Sequence, residues 1–418
     1  MSVKARYYLI FFVVFSVVYL FRFQAKLKTN FNDGDNLKIT TKLSQEPILK
    51  GNYQTFKIKN INIKTDRFPK YQYGESLIIS GTLKSQVINS KFSKFWLINP
   101  TIAKVKADSI EGKVGLKNYL LASLFKFRSK LESVISQVLP EPQASLLIGI
   151  LLGIQRSMSN SFYQDLQTTG TLHIIVASGM NITLIAGSIK ELLFRFIGRK
   201  PALLMGLFAV VFYCLLAGLN PPIVRAGIMA SILYLANFLG REGTGFWILL
   251  LTAAIMLIIS PLIIFDVGFQ LSFTATAGLI LISPLLQKKF NFASFLKDDL
   301  TETTSALIFT FPVLVVTFGR FNPFSIIPNS LVLFLIPSLM ILGMLISLSG
   351  LLFMGLAQFF GWLAWLPLTY FIKVINFFGQ FDFLYFKLEG FSWVFGLGYY
   401  LLIFSFLVRK PKKRKINH

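Results

Sequence analysis

Cysteine and histidine, the side chains that most often bind transition metals, are nearly absent from this sequence. Its 418 residues include one cysteine, Cys214, and two histidines, His173 and His418. A single cysteine cannot form an intrachain disulfide, so cysteine use does not indicate a redox compartment. Structural zinc sites need four ligands, usually Cys and His. We therefore expect no metal and no other cofactor.

Charged residues are also scarce. They make up 14% of the chain, whereas hydrophobic residues make up 54% and the mean hydropathy is +0.64. Soluble globular proteins carry roughly 25% charged residues. The composition therefore excludes an ordinary soluble domain and predicts an integral membrane protein.

Acidic residues are the scarcer of the two charge signs. There are 18 Asp and Glu against 42 Lys and Arg, which gives a formal net charge of +24. Cytoplasmic loops of membrane proteins collect Lys and Arg, and anionic lipids attract basic surfaces. A polyanion such as DNA would also be attracted. Composition alone leaves these three explanations open.

Polarity divides the chain into five segments. An apolar run at 7–21 follows two basic residues, and no small-residue cleavage site comes after it, which predicts a retained first span within residues 1–25. Residues 26–112 are polar and Lys-rich, with short alternating runs between glycines, as in a small β-domain. The remaining segments are an amphipathic helix at 113–140, a membrane domain at 141–408 and a basic tail at 409–418.

The amphipathic helix has an apolar stripe that recurs every three or four residues, from Leu116 through Leu131 to Val138. Pro140 ends it. We expect this helix to lie on the bilayer surface or on the β-domain.

The membrane domain is predicted to be a helical bundle of about 9–11 crossings, since a spanning helix needs roughly 20 apolar residues. Segment 143–155 is too short to cross and is predicted to be a half-helix. Residues 346–379 are apolar but interrupted by Gly and Pro. The candidate spans are 171–189, 201–218, 223–240, 245–264, 266–285, 302–319, 326–345 and 391–408.

Basic residues predict the orientation. Lys4 and Arg6 precede the first span, and six Lys and Arg lie in 409–418. Lys and Arg favour the cytoplasmic side of a bacterial inner membrane. We expect both termini in the cytoplasm and the β-domain outside it.

Polar side chains within apolar spans are costly and often functional. The first such cluster contains His173, Ser178, Gly179 and Asn181. Ser178 and Asn181 are three residues apart and share a helix face. These residues either line a pore or hold helices together by hydrogen bonds.

Two further clusters follow along the chain. Arg225 comes in the first turn after Pro221-Pro222, where it either reaches the interface or faces a polar cavity. Asp266, Gln270 and Thr274 are spaced four residues apart and form a polar stripe on one helix. We expect Asp266 to pair with Arg225.

These clusters resemble signatures of the ComEC family of competence DNA-uptake proteins. The resemblance rests on the run Gly149–Gly187 with its His173…Ser178-Gly179 core, on Pro221–Ala230 and on Phe265–Phe273. Pro328-Asn329-Ser330 with Pro337 is a weaker fourth element. The match covers roughly residues 140–345, together with the preceding β-domain by position.

The resemblance implies an inner-membrane channel that passes single-stranded DNA into the cytoplasm. It also implies an OB-like β-domain, whose basic and aromatic side chains would bind a single strand. The pore candidates are His173, Ser178, Gly179, Asn181, Arg225, Asp266, Gln270 and Thr274. The DNA-binding candidates are Lys57, Lys59, Lys64, Arg67, Lys70 and Tyr71.

Two departures from the family pattern matter. Many members carry a second histidine shortly after Ser-Gly, where this sequence has Asn181. Longer members end in a metallo-β-lactamase-like nuclease domain, whereas this sequence ends at His418. We therefore expect a chain that is not itself an enzyme, with separate receptor, motor and nuclease partners, and we leave oligomerisation open.

Two other functions fit the residue types. His173, Ser178 and Asp266 supply groups for an intramembrane enzyme acting on a lipid-linked substrate, although their spacing does not fix a triad. A small-solute transporter is the other alternative. The sequence contains no Gly-x-x-x-x-Gly-Lys-Ser/Thr loop, so it lacks a nucleotide motor of that kind.

Overall fold

The chain is a helical membrane bundle with a small β-sheet domain near its N-terminus, as the sequence predicts. Its architecture is taken from a computed structural model. That structure describes residues 15–24, 34–43, 48–50, 53–58, 61–66, 68–69, 71, 75–89, 92–105, 116–154, 158–175, 179–219, 221–240, 244–289, 294–381, 386–388 and 391–408.

The β-domain is one mixed sheet around an apolar core. Its strand order is β1-β5-β6-β4-β3-β2, with β7 also paired to β5, and β4–β6 is its one parallel pair among the described strands. Alternate residues such as Ile61 and Ile63 are buried, which produces the period of two seen in the sequence. The strands are β1 Asn36–Lys42, β2 Ile48–Lys50, β3 Tyr53–Ile58, β4 Ile61–Asp66, β5 Ser76–Asn89, β6 Phe92–Ile98 and β7 Thr101–Val105.

The rest of the described chain is mostly helical. Two 3-10 turns, Pro261–Phe265 and Pro323–Ser325, and a two-stranded ribbon of β8 Arg320–Phe321 and β9 Phe386–Lys387 interrupt the helices. The helices are α1 (15–24), α2 Leu116–Val138, α3 Gln143–Leu152, α4 Asn160–Thr168, α5 Leu172–Ile175, α6 Gly179–Ile197, α7 Arg199–Ala217, α8 Pro221–Phe238, α9 Gly245–Ile259, α10 Val267–Leu281, α11 Ser283–Lys289, α12 Ser294–Phe318, α13 Ile326–Leu333, α14 Ile336–Gly350, α15 Met354–Gly379 and α16 Trp393–Val408.

Six stretches of the described chain are long and apolar enough to cross a membrane, and a bent pair makes a seventh. This is fewer than the expected 9–11, because α3, α9 and the apolar part of α16 are shorter than a full span. The six are Leu172–Ile197, Arg199–Ala217, Pro221–Phe238, Val267–Lys288, Asp298–Phe318 and Met354–Gly379, and the bent pair is Pro323–Leu333 with Ile336–Gly350.

Prolines end some of these helices but not others. α9 stops before Pro261, which begins a 3-10 turn. Pro312 and Pro367 instead lie inside α12 and α15, which continue through them. The interrupted apolar segment at 346–379 therefore contains one 26-residue helix, α15.

Direct contacts define one end of the bundle, which we call the α4 end. The Asn322 side-chain amide donates to the carbonyl of Thr168 at 2.8 Å. Gly379, at the end of α15, lies against Asp165 of α4. β8, just after α12, pairs with β9, just before α16. Hence α12 and α15 begin at the opposite end, and α16 runs from the α4 end toward it.

The amphipathic helix α2 does not match its expected position on the bilayer surface or the β-domain. Its stripe packs into the main apolar core with α3, α14 and α15. Val134 lies against Gly350 and Val138 against Gly361, two glycines whose missing side chains permit this approach. A stripe of this width needs an apolar partner, and the neighbouring helices supply it.

The predicted half-helix at 143–155 is α3, and all ten of its residues are buried. Its last carbonyl groups lack partners within the helix, and side chains from three other helices bind them. The Asn181 amide donates to Ile150 at 2.8 Å, the Tyr213 hydroxyl to Leu151 at 2.9 Å and the Arg128 guanidinium to Leu152 at 3.1 Å. Gly153 closes the helix in the left-handed conformation, with φ 68°.

We predict that replacing Gly278 destabilises the bundle. A Cβ atom at this position of α10 would lie 2.3 Å from the carbonyl oxygen of Ser305 in α12, so Gly278→Ala forces the two helices apart. Such overpacking costs about 1–3 kcal/mol. Thermal unfolding of the purified protein in detergent should show a lower melting temperature.

The matched control is Gly187→Ala in α6, where a Cβ atom meets nothing within 4 Å. Alanine is a better helix former than glycine by roughly 1 kcal/mol, so this variant should be as stable as the wild type or more so. Equal destabilisation by both substitutions would contradict the α10–α12 packing.

We also predict that Asn181→Leu lowers stability. The change keeps the volume similar but removes the donor to the buried Ile150 carbonyl, which costs about 1–3 kcal/mol. Thr183→Val, whose hydroxyl is accessible and bonds within α6, should be nearly neutral in the same unfolding assay. Equal melting temperatures for Asn181→Leu and the wild type would show that the hydrogen bond from Asn181 to Ile150 contributes nothing to stability.

Candidate functional site

The three helices that carry the polar sequence clusters meet at Arg225. This residue lies in the second turn of α8, and its Nε donates to the hydroxyl of Ser272 in α10. Its Nη1 donates to Thr276 of α10 and to the sulfur of Met229, 3.6 Å away. Its Nη2 faces Gly179 at the start of α6. One guanidinium therefore joins the helices that carry all three clusters.

Asp266 is not the partner of Arg225 in this structure, so the expected ion pair is wrong. Asp266 precedes α10 and its Oδ1 accepts from the backbone N–H of Phe269 at 2.9 Å, as a helix N-cap does. A carboxylate there also offsets the positive end of the helix dipole. Between the described residues, the structure contains no Arg225–Asp266 ion pair.

The partners that Arg225 does have were missed in the sequence. Ser272 and Thr276 are four residues apart and share one face of α10, two positions out of phase with the predicted stripe of Asp266, Gln270 and Thr274. Their i, i+4 spacing within an apolar helix was the available signal.

His173 has an unusual position. Its side chain is exposed, whereas the next two residues of α5, Ile174 and Ile175, are buried. Its Nδ1 lies 3.0 Å from the carbonyl oxygen of Gly170, so Nε2 is the ring nitrogen available to another group.

The other described pore candidates do not form a ring of polar side chains with His173. Asn181 is 1% exposed and caps α3, so it does not line a pore. Gln270 donates to the carbonyl of Ile264, and Thr274 donates to that of Gln270, so both bond close to their own helix. Ser178 lies outside the described residues.

The DNA-binding candidates in the β-domain have different environments. The Lys64 ammonium lies over the ring of Tyr53, 4.1 Å from its centroid, in a cation–π contact. Tyr71 is only 6% exposed and packs on Phe56, so its ring belongs to the core and offers no surface for a base. Phe68 is 68% exposed. Lys59, Arg67, Lys70 and the side chain of Lys57 lie outside the described residues.

The β-domain and the α4 end of the bundle are close together. Tyr53 of β3 interacts electrostatically with Tyr163 of α4, and burial is the main cause that raises the pKa of Tyr163. At the same end, the ring of Phe23 in α1 contacts Phe265, just before α10. The basic β-domain therefore lies at the end of the bundle where α4 leads, through Gly170, into α5 and His173.

Comparison with known protein sequences identifies relatives of this chain. A family model described as "Competence protein" matches residues 150–413, which include all three clusters. ComE operon protein 3 of Bacillus subtilis is 25% identical over 57% of this chain and 30% of its own length. Protein YcaI of Escherichia coli is 27% identical over 42% and 23%, and competence protein ComA of Neisseria gonorrhoeae is 28% identical over 32% and 21%.

These alignments cover less than a third of each of the three relatives, and no solved structure matches the chain. The family model nevertheless spans well over half of this sequence, in the part that contains Gly179, Arg225 and the α10 hydroxyls. The chain belongs to the competence protein family.

Proposed function

We propose that this protein is a channel that carries single-stranded DNA across the inner membrane into the cytoplasm during competence. The observation that carries the proposal is that the helices of the three clusters meet at one cationic side chain, Arg225, in a bundle that also presents the accessible ring of His173. A polyanion crossing a low-dielectric slab needs polar groups and positive potential along its path. The names of two relatives, ComE operon protein 3 and competence protein ComA, support a role in competence.

The orientation that we propose follows from the bundle ends. Connections at the end opposite α4 carry Arg195, Arg199 and Lys288, and the Lys- and Arg-rich sequence 409–418 follows α16 there. Lys and Arg favour the cytoplasmic side. The end of the bundle opposite α4 is therefore cytoplasmic, and the β-domain lies outside the cytoplasm.

In this arrangement the β-domain receives the strand first. β1 pairs with β5, and β2, the next strand along the chain, pairs with β3 at the other side of the sheet. This strand order, with its parallel pair β4–β6, supports an OB-like fold, which binds single strands by charge and stacking. Lys64 with Tyr53, and the exposed ring of Phe68, are the described groups suited to this.

The driving force would come from a partner. The sequence has no phosphate-binding loop of the Gly-x-x-x-x-Gly-Lys-Ser/Thr type. A receptor outside the membrane, a motor in the cytoplasm and a nuclease that supplies the single strand are the partners that such a channel requires.

We predict that cytoplasmic import of labelled DNA depends on this chain and on His173. A deletion strain should bind DNA at the cell surface but not import it, and the wild-type chain should restore import. At matched membrane levels, His173→Leu should restore about a tenth or less, because we place His173 on the path and an apolar side chain there disfavours water along it.

The control for this variant is Ser349→Leu. This hydroxyl is exposed near the end of α14 opposite α4, where it bonds to the Leu345 carbonyl beside large apolar side chains. It should restore import fully. Unchanged import in the deletion strain would refute the channel.

Single cysteines should report the orientation. In a Cys214→Ser background, Thr82→Cys in β5 should react with a membrane-impermeant maleimide in intact spheroplasts. Thr244→Cys, exposed just before α9 at the opposite end, should react only after permeabilisation. The reverse pattern would invert the proposed orientation.

A further inference from the structure

Arg225 places a positive charge inside the bundle among neutral partners. The groups that accept its hydrogen bonds are two hydroxyls and a thioether. Asp266, the acid expected to neutralise it, caps α10 instead. A charged side chain within a span costs at least about 2.5–3.5 kcal/mol and is usually paired. Arg225 has no acidic partner in the described part of the chain.

The neighbouring side chains fix the orientation of this guanidinium. Ser272 holds Nε, and Thr276 with Met229 holds Nη1. The Thr276 hydroxyl donates its own proton to the Ser272 carbonyl at 2.9 Å, which leaves its lone pairs for Arg225. The planar group therefore cannot turn without breaking several contacts.

The remaining edge of the guanidinium is free. Within the described residues, no acceptor binds Nη2. This nitrogen faces Gly179, where even a Cβ atom would lie 3.7 Å from Nη2 and 3.3 Å from the Cβ of Ala226. A side chain at Gly179 would therefore contact Nη2 and cover it. Glycine adds no such group, so it leaves this side of Nη2 uncovered.

We propose that Nη2 of Arg225, opposite Gly179, binds one phosphodiester group. This inference rests on the proposed channel and assigns the phosphate backbone, rather than the bases, as what the site recognises. The two N–H groups of Nη2, on a guanidinium whose orientation is fixed and which is always positively charged, are suitable donors for the oxygens of a phosphate monoanion. The bound phosphate supplies the negative charge that the protein around Arg225 lacks.

Phosphodiester groups occur both in a DNA backbone and in phospholipid headgroups, and the chemistry at Nη2 is the same. A backbone recognised through phosphate alone would pass without sequence preference, because phosphate contacts carry no base information. The site also holds one phosphate at a time, which allows release to the next position along a path.

The first experiment uses the purified full chain in neutral detergent. Its thermal unfolding is followed with increasing diethyl phosphate, a phosphodiester monoanion, and with triethyl phosphate, its neutral analogue, at constant ionic strength. The wild type should be stabilised saturably by the anion only. In Gly179→Leu and Arg225→Lys the apparent affinity should fall about tenfold or more, since the first covers Nη2 and the second removes this fixed donor.

Gly187→Leu is the matched control, because it adds the same side chain to the same helix where a Cβ atom has open space. It should bind as the wild type does. Arg225→Lys keeps the charge, so it tests the site even if Gly179→Leu fails to fold. Absent stabilisation of the wild type, or equal stabilisation in all variants, would overturn the proposal.

A competition distinguishes the two sources of phosphate. Prior addition of a thymidine oligonucleotide should abolish further stabilisation by diethyl phosphate, whereas phosphatidylglycerol should not. The reverse result would overturn the DNA assignment and make this a lipid site. If DNA import requires the chain but diethyl phosphate does not bind, the results support the channel and refute this phosphate site. If diethyl phosphate binds but import is normal without the chain, they refute the channel and support the site.

Discussion

The buried end of α3 sets the constraint on which the bundle depends. A helix that stops inside a membrane bundle leaves carbonyl groups that water cannot reach, and each must find a donor from the protein. Three donors from three helices meet this need at Ile150, Leu151 and Leu152. The positions of α2, α6 and α7 around α3 are therefore linked, because moving any one of them would expose a carbonyl.

This constraint explains why Asn181 lies in the core, although a polar residue in a span had suggested a pore. In hydrocarbon, an amide is as useful for satisfying a neighbour's backbone as for contacting a substrate. The same holds for Arg128, whose charge suits the negative end of the α3 dipole. Asn181 in a span and Arg128 in α2 therefore both have a structural role, because each binds a carbonyl group of α3.

Hydropathy was enough to predict the membrane bundle, the β-domain and the short α3, because these depend on composition and period. It could not predict which side chains meet across helices. Arg225 and Asp266 were paired in the sequence because they are opposite charges in nearby spans, but rotation of α10 presents Ser272 and Thr276 to Arg225 instead. An offset of two residues, about 200° around the helix, is invisible to an average over an apolar segment. The same limitation placed α2 outside the bundle and interrupted α15 at its glycines and its one proline, Pro367.

Two cations in this bundle differ in how their charge is balanced. Arg128 binds the carbonyl end of a helix, whose partial negative charge offsets part of its own. Among the described residues, Arg225 donates to two hydroxyls and a thioether, and its Nη2 faces Gly179, which has no side chain to cover it. The charge of Arg128 is thus partly offset by the protein, whereas that of Arg225 has no negative partner in the described part of the chain. A bundle that had only to be stable would favour an acid near Arg225 or an apolar residue in its place, since an uncompensated charge costs free energy. An uncompensated charge is useful where anions must bind briefly and leave, because an internal carboxylate would compete with each phosphate that arrives.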